Sequence, residues 1–150
     1  MAWTLESQYI DIARKIIHNG TVRETRNAVT HSLPFQTMEF SLESGFFPLL
    51  TTRQMFYKGV LGEYAAMIRG PRHVKDFERW GCNYWNQWAN EDGSIAVDYG
   101  NAWRDFNGVD QMANVIDSLL NNPADRRMVI SGWRPDKLDD LSLPCCHHNY

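Results

Sequence analysis

The chain has 150 residues, of which 43% are hydrophobic; this is enough for one domain with its own core and excludes long disordered stretches. A net charge of −3 does not imply a general nucleic-acid-binding surface, although it leaves room for local arginine clusters, and no apolar stretch is long enough to cross a membrane. The three cysteines, two of them adjacent, do not form a disulfide framework. Since residues 1–20 also lack the pattern of a secretory signal, we expect a cytoplasmic protein.

The first forty residues predict a helix, a loop and a strand. Thr4 is a suitable N-cap for a helix that runs to about His18, and Gly20 ends it. The apolar face of this helix is formed by Leu5, Tyr9, Ile12, Ala13 and Ile16. Residues 21–31 are polar and predict a loop, whereas apolar and polar residues alternate over 32–42 and predict a strand.

A second helix is predicted over about 54–69, and its buried face is formed by Phe56, Val60, Leu61, Tyr64, Ala65 and Ile68. Gly59 and Gly62 each lower the stability of this helix by about 1 kcal/mol relative to Ala. Two residues without side chains in one helix instead indicate close packing against a neighbour. Residues 72–108 predict short helical turns and loops. A third helix over about 109–120 has an inward face formed by Met112, Ile116, Leu119 and Leu120.

Two further strands are predicted over 128–131 and 141–146. Helices and strands mix without a regular alternation, so the pattern favours an α+β fold with a mixed β-sheet packed against helices. We expect a single domain over residues 1–150.

Cys146 is the candidate nucleophile, since a thiolate is strongly nucleophilic and His147 lies next to it. The alternative is that Cys145 and Cys146 are small buried hydrophobic residues. The run from Cys145 to His148 also suggests zinc, but consecutive residues of a strand point to opposite faces and cannot share one ion. We therefore expect no metal.

Three other groups have both a chemical and a structural interpretation. Arg126 and Arg127, together with Arg26, could clamp a phosphate or carboxylate, or could simply be solvated with an ion pair to Asp125. Glu63 lies in a largely apolar helical stretch, where it is either exposed or buried and able to relay protons. The remaining pair, Trp85 and Trp88, is spaced by one helical turn and forms either core or a wall for a flat ring.

Five segments match one family in the same order. They are Gly45-Phe46-Phe47-Pro48-Leu49-Leu50-Thr51-Thr52, Tyr84-Trp85-Asn86-Gln87-Trp88-Ala89, Tyr99-Gly100 through Trp103-Arg104, Asp125-Arg126-Arg127 leading to Ser131-Gly132-Trp133, and Leu143-Pro144-Cys145-Cys146-His147. The chain resembles thymidylate synthase and its phage relatives, the pyrimidine-nucleotide hydroxymethylases. The resemblance covers roughly the first half of a usual member, so we expect a thymidylate synthase-like fold that is incomplete at its C-terminus.

The resemblance implies a methyltransferase that carries a one-carbon unit from 5,10-methylenetetrahydrofolate to C5 of dUMP, giving dTMP. Cys146 would attack C6 of the pyrimidine. Glu63 would hold waters for proton transfer, and Tyr99 and His147 would belong to the water network near the base. The folate carries the one-carbon chemistry, so the protein positions its partners.

The resemblance also implies how the substrates are bound. Arg26 would bind the substrate phosphate within its own subunit. Arg126 and Arg127 would reach the phosphate in a partner subunit's site, which implies a homodimer. The paired rings of Trp85 and Trp88 would line the folate pocket. No nucleic-acid or membrane partner is implied.

Several departures from the family pattern keep other functions open. Asn27-Ala28 follows Arg26 without the usual glycine, Phe56 replaces a common histidine, Arg134 replaces a common asparagine or aspartate, and Cys145 replaces a proline.

The first alternative function is that of a phage-type dUMP or dCMP hydroxymethylase, which adds water where the synthase delivers hydride. Its location would be the host cytoplasm. The second is a non-catalytic split or truncated fragment that needs a C-terminal complementing chain.

Overall fold

A computed structural model describes residues 4–25, 27–43, 45–95, 99–141, 146 and 148–149, with Tyr99 described by its backbone alone. The chain divides into two compact units, Met1–Met55 and Phe56–Tyr150. The described elements are helices and a small two-stranded antiparallel sheet, which confirms the α+β class. The assignment of residues 1–150 to one domain stays a prediction.

The first unit begins with helix α1, Leu5–Asn19, as the sequence predicts. The Thr4 side chain accepts a hydrogen bond from the Ser7 N–H at 3.2 Å, which satisfies one of the free donors of the first turn. Gly20 ends the helix by donating its N–H to the Ile16 carbonyl at 2.8 Å. Both ends are therefore set by local capping groups.

Strands β1, Thr21–Glu24, and β2, Val29–Ser32, form an antiparallel hairpin in which Thr21 lies opposite Ser32. The prediction of a loop over 21–31 was therefore wrong. All eight strand residues are exposed, so the ladder forms without the apolar alternation that a half-buried strand shows. β-branched residues and a turn closed by the Thr25 hydroxyl, which donates to the Ala28 carbonyl at 2.7 Å, favour the hairpin instead.

The predicted strand over 32–42 was also wrong beyond Ser32, since the described residues 33–43 contain no strand. In this segment the backbone of Glu39 forms hydrogen bonds with a side chain instead of with a neighbouring strand. Gln8 is 3% exposed, and its amide donates to the Glu39 carbonyl at 2.7 Å and accepts from the Glu39 N–H at 2.8 Å. Gln8 thus satisfies both backbone groups of one residue and attaches the extended segment to α1.

A second contact attaches the segment that contains Thr51 to the start of α1. The Glu6 carboxylate accepts hydrogen bonds from the Thr51 hydroxyl at 2.7 Å and from the Thr51 N–H at 2.8 Å. These donors, the hydroxyl first, lower the pKa of Glu6 because they stabilise its charged form. The Gly45–Thr52 motif is therefore fixed to the first helical turn at its Thr51 end.

The second unit contains α2, Tyr57–Met67; α3, Val74–Glu78; a 3₁₀-helix, Tyr84–Trp88; α4, Tyr99–Arg104; α5, Gln111–Asn121; and a second 3₁₀-helix, Pro135–Lys137. The predicted second and third helices are confirmed, as are the short helical turns between them. Their core is formed by Ala66, Met67, Phe77, Cys82, Trp85, Ile95, Trp103 and Ile130.

The predicted inward faces of two helices need correction. In α2 the buried residues are Gly59, Gly62, Ala66 and Met67, and in α5 the residues packed against the core are Met112 and Val115. The residues predicted to face inward but found exposed are Phe56, Val60, Leu61, Tyr64, Ile116, Leu119 and Leu120. At Gly62 the buried face of α2 lies directly against the backbone of Trp80.

The predicted strand over 128–131 was wrong as well. Ser131 forms an isolated antiparallel bridge with Asn149, and residues 128–130 are irregular. The predicted strand over 141–146 falls largely on residues 142–145, which lie outside the described residues. Throughout the described part of the chain, each helix is too short or too polar to span a lipid bilayer.

Replacing Gln8 with Ala is expected to lower the free energy of unfolding by about 1–2 kcal/mol, because two hydrogen bonds between the buried Gln8 amide and the backbone of Glu39 are lost. Chemical denaturation measures this change. Glu39→Ala is the matched control, since only the backbone of Glu39 takes part, and it should change stability little. Equal effects of the two substitutions would contradict this role of Gln8.

Candidate functional site

Glu63 lies at the centre of a cluster of polar groups in the second unit. It is half-buried on α2, and each of its carboxylate oxygens accepts a hydrogen bond. The Trp85 indole Nε1–H donates to Oε1 at 2.6 Å, and the Tyr84 hydroxyl donates to Oε2 at 2.8 Å. Both donors come from one 3₁₀-helix. The carboxylate therefore has a defined orientation, whereas a solvent-exposed glutamate could rotate.

Gly62 allows this arrangement because it lets the backbone of residues 80–82 approach α2 closely. A Cβ atom at position 62 would overlap the Trp80 carbonyl oxygen, crowd its carbonyl carbon and touch the Cys82 nitrogen. The segment that lies against Gly62 leads directly into the 3₁₀-helix that carries both donors. The glycine thus sets the separation between α2 and the donors, which agrees with the close packing that the sequence predicts at this position.

Aromatic packing fixes the position of the Trp85 donor. Trp85 is 2% exposed and stacks on Phe77, with ring centroids 4.7 Å apart and an interplanar angle of 12°. Trp88 packs edge-on against it at 5.6 Å and is half-buried. Trp85 is therefore a core residue that reaches the cluster through its N–H, and Trp88 is the more accessible of the two rings.

The ionisable neighbours of Glu63 are held in their neutral forms. Burial raises the pKa of Tyr84 far above its usual range, and the hydrogen bond to Glu63 adds to this effect. Burial likewise raises the pKa of the Cys82 thiol, and the negative charge of Glu63 acts in the same direction. Cys82 is completely buried, so it has neither the access nor the charge state of a reactive thiol.

Cys146 is exposed, in contrast to Cys82. Residues 148 and 149 lie against the 131–133 segment: the Gly132 N–H donates to the His148 carbonyl at 2.9 Å, and the Trp133 and His148 rings lie 5.9 Å apart. The backbone two residues after the candidate nucleophile is thus bound to a segment of the family-like motif. The Cys145 and His147 positions lie outside the described residues.

Gln111 holds the 131–133 segment against the helical part of the unit. Its side-chain amide donates to the Ala102 carbonyl at 2.8 Å and to the Ser131 carbonyl at 2.9 Å, and its oxygen accepts from the Ser131 N–H at 2.9 Å. One side chain therefore connects α4, α5 and the segment paired with residues 148–149. Sequence reasoning missed this residue, because a glutamine at a helix start carries no distinctive signal.

The predicted phosphate-binding residues are only partly described. Arg126 and Arg127 are exposed in a turn after α5, and within the described residues their side chains form no ion pair. Asp125 accepts from the backbone N–H of Arg127 at 2.9 Å, so the predicted ion pair to Asp125 is replaced by a turn contact. Arg26 and the Tyr99 side chain lie outside the described residues, and the Tyr99 backbone begins α4.

Arg134 forms a second polar cluster. Its guanidinium is buried and binds Asp136 with two hydrogen bonds of 2.9 and 2.7 Å, and it also donates to the Asn107 side chain at 2.8 Å. The same group lies 4.5 Å above the Phe106 ring. Because Arg134 is fully engaged here, this departure from the family pattern fixes the chain after Trp133. The pKa of Asp136 falls to about 2, chiefly through its hydrogen bond to Arg134.

Comparisons with known proteins agree with the motifs. The family model for thymidylate synthase matches residues 7–150, a range that includes every predicted site residue. The chain is 37% identical, over 167 aligned residues, to the protein named thymidylate synthase 1/2 of Encephalitozoon cuniculi (strain GB-M1). That alignment covers 95% of this chain and 57% of the relative, so the chain spans a little over half the length of the protein it matches.

Gly62→Ala is expected to lower the free energy of unfolding by about 1–3 kcal/mol, because the new methyl group overlaps backbone that cannot move away as a side chain could. This effect outweighs the better helix propensity of Ala, which is worth about 1 kcal/mol. Chemical denaturation measures the change. Val60→Ala, at an exposed position of the same helix, is the control and should stay within about 0.5 kcal/mol of the original chain. A stabilised Gly62→Ala variant would show that α2 and residues 80–82 are not in close contact.

The lowered pKa of Asp136 makes stability depend on pH. An aspartate whose folded pKa lies near 2, below its ordinary 3.8, contributes stability above the ordinary value and loses it as the pH falls towards 2. Asp136→Asn should therefore flatten the decline in unfolding free energy over this acidic range. Urea denaturation at several pH values measures the slope, with the exposed Asp139→Asn as control. An unchanged slope in Asp136→Asn would contradict the ion pair.

Proposed function

Because this chain belongs to the thymidylate synthase family, we propose that it transfers a one-carbon unit from 5,10-methylenetetrahydrofolate to C5 of dUMP, giving dTMP. The substrates are dUMP and the reduced folate, and no metal takes part. The full fold in this proposal is the thymidylate synthase type, with a mixed sheet packed against helices. The protein works in the cytoplasm.

The proposal rests mainly on the difference in burial between Cys82 and Cys146. Cys82 is buried in the core and its thiol pKa is raised, whereas Cys146 is exposed and lies two residues before backbone that pairs with the 131–133 segment. An accessible thiol on a tethered backbone is what nucleophilic addition to a bound ring requires. In the reaction, the Cys146 thiolate adds to C6 of the pyrimidine, and C5 becomes a carbon nucleophile towards the one-carbon unit. The folate supplies that unit and the hydride that completes the methyl group; the C5 proton is lost, and the bond from Cys146 to C6 breaks.

Glu63 holds the waters that move the C5 proton. The geometry supports this role, because its carboxylate is half-buried and each oxygen keeps acceptor capacity beyond the one donor that it already binds. Tyr99 and His147 complete the water network near the base. The accessible ring of Trp88 lines the folate pocket, and Trp85, buried behind it, supports that wall.

The phosphate of dUMP is bound by arginines from two copies of the chain. Arg26 binds it within its own subunit, and Arg126 and Arg127 bind it in the site of the partner subunit, so the working form is a homodimer. The exposed, unpaired side chains of Arg126 and Arg127 in the described structure support this role, because they remain available to an anion.

The nucleophile can be identified by trapping with 5-fluoro-dUMP and methylenetetrahydrofolate, since fluorine at C5 cannot leave as a proton does and the covalent adduct accumulates. Intact-mass spectrometry under denaturing conditions should show one bound nucleotide and folate on the original chain and on Cys145→Ala. Cys146→Ala should show none. Labelling that disappears in Cys145→Ala and persists in Cys146→Ala would overturn the assignment.

Products decide the reaction type. Mass spectrometry of the nucleotide after turnover should show a methyl group on dUMP. A hydroxymethyl group on dUMP or dCMP would support the phage-type hydroxymethylase and contradict the proposal. Neither labelling nor product would contradict catalysis by this chain and favour a fragment that needs a C-terminal complementing chain.

A further inference from the structure

The Tyr84 hydroxyl has a contact that the family motif does not explain. Its oxygen lies 2.8 Å from Glu63 Oε2 and 3.4 Å from the Gly59 carbonyl, one helical turn earlier on α2. The ring is half-buried and packs against the core cluster. The hydroxyl therefore lies over α2 and points at the carboxylate, although ring packing alone does not require a hydroxyl.

We propose that Tyr84 is a positioning residue for the proton-transfer step, because its hydroxyl fixes the Glu63 carboxylate in one orientation. The inference deepens the proposed function and rests on it. Tyr84 does not touch the reacting atoms; it acts through Glu63.

The two donors bind different oxygens of the carboxylate. Trp85 binds Oε1 and Tyr84 binds Oε2, so rotating the carboxylate group would break both hydrogen bonds at once. Trp85 alone would leave the group free to tilt about the Oε1 contact. With both donors in place, the free lone pairs of Glu63 point in fixed directions, which is what an ordered water requires.

Tyr84 is the donor in this hydrogen bond. Burial and the adjacent carboxylate raise the pKa of Tyr84, so the phenol keeps its proton and donates it to Glu63 Oε2. Hydrogen bonds to charged groups are stronger than those between neutral groups. The bond therefore holds Oε2 in a fixed place as an acceptor, which is the role that the proton-transfer step requires.

The alternative is that Tyr84 only packs against the core. Tyr84→Phe distinguishes packing from positioning, because it keeps the ring and removes the hydroxyl donor. Tyr64→Phe is the matched control: Tyr64 lies on α2 next to Glu63 and its ring contacts Trp103 at 5.9 Å, but it does not donate to the Glu63 carboxylate. A melting curve for each variant shows that both remain folded.

The kinetic test is a double-mutant cycle on the full chain with dUMP and methylenetetrahydrofolate. Tyr84→Phe should reduce kcat by about tenfold or more, the loss expected for a hydrogen bond to a charged group, and change the KM for dUMP little. In a Glu63→Gln background the same substitution should have almost no further effect, because Tyr84 acts through the carboxylate. Tyr64→Phe should leave kcat unchanged. A kcat unaffected by Tyr84→Phe, or losses that multiply in the double variant, would overturn the proposal.

An NMR measurement separates this inference from the proposed function. The Trp85 indole N–H signal reports on the Glu63 carboxylate, and it should shift in Tyr84→Phe but not in Tyr64→Phe. If the signal shifts while the original chain neither labels nor turns over, orientation of Glu63 by Tyr84 is supported and the proposed function fails. If the original chain is active, and Tyr84→Phe changes neither the Trp85 signal nor kcat, the positioning role of Tyr84 is contradicted and the proposed function stands.

Discussion

The close approach of residues 80–82 to α2 at Gly62 is the constraint on which the described site depends. The lack of a side chain there lets backbone pack on helix, and the chain then enters a 3₁₀-helix whose first two side chains both donate to Glu63. Stacking of Trp85 on Phe77 holds the indole donor in the core. A wider separation would leave a half-buried carboxylate without its donors, which is costly, so packing and site geometry are stabilised together.

The electrostatics of this region follow from the same packing. Burial keeps Tyr84 and Cys82 protonated, and the indole of Trp85 can only donate, so Glu63 is surrounded by donors and neutral groups. The exposed Cys146 precedes residues 148 and 149, which pair with the 131–133 segment, and Gln111 binds that segment to the helices. The unit thus separates an accessible thiol from a buried one and places a carboxylate in a fixed orientation, an arrangement suited to nucleophilic addition followed by proton transfer.

Local signals were readable from the sequence, and features that depend on distant contacts were not. The cap at Thr4 predicted α1 because capping involves residues a few positions apart. The β1–β2 hairpin was missed because its residues are exposed on both faces and show no apolar alternation. Hydrophobic periodicity predicted the wrong buried face of α2. Gly62 is buried because it has no side chain that would keep the neighbouring backbone away, and not because it is apolar. The motif containing Tyr84 was recognised, but its contact with Glu63, twenty-one residues away, depends on that tertiary approach.

The proposed reaction is best tested by the release of tritium from C5 of [5-³H]dUMP in the presence of methylenetetrahydrofolate, because in that reaction release requires both addition of Cys146 to C6 and removal of the C5 proton. We predict release by the original chain, much slower release by Glu63→Gln and none by Cys146→Ala. Release by Glu63→Gln at the original rate, or by Cys146→Ala at any comparable rate, would contradict it.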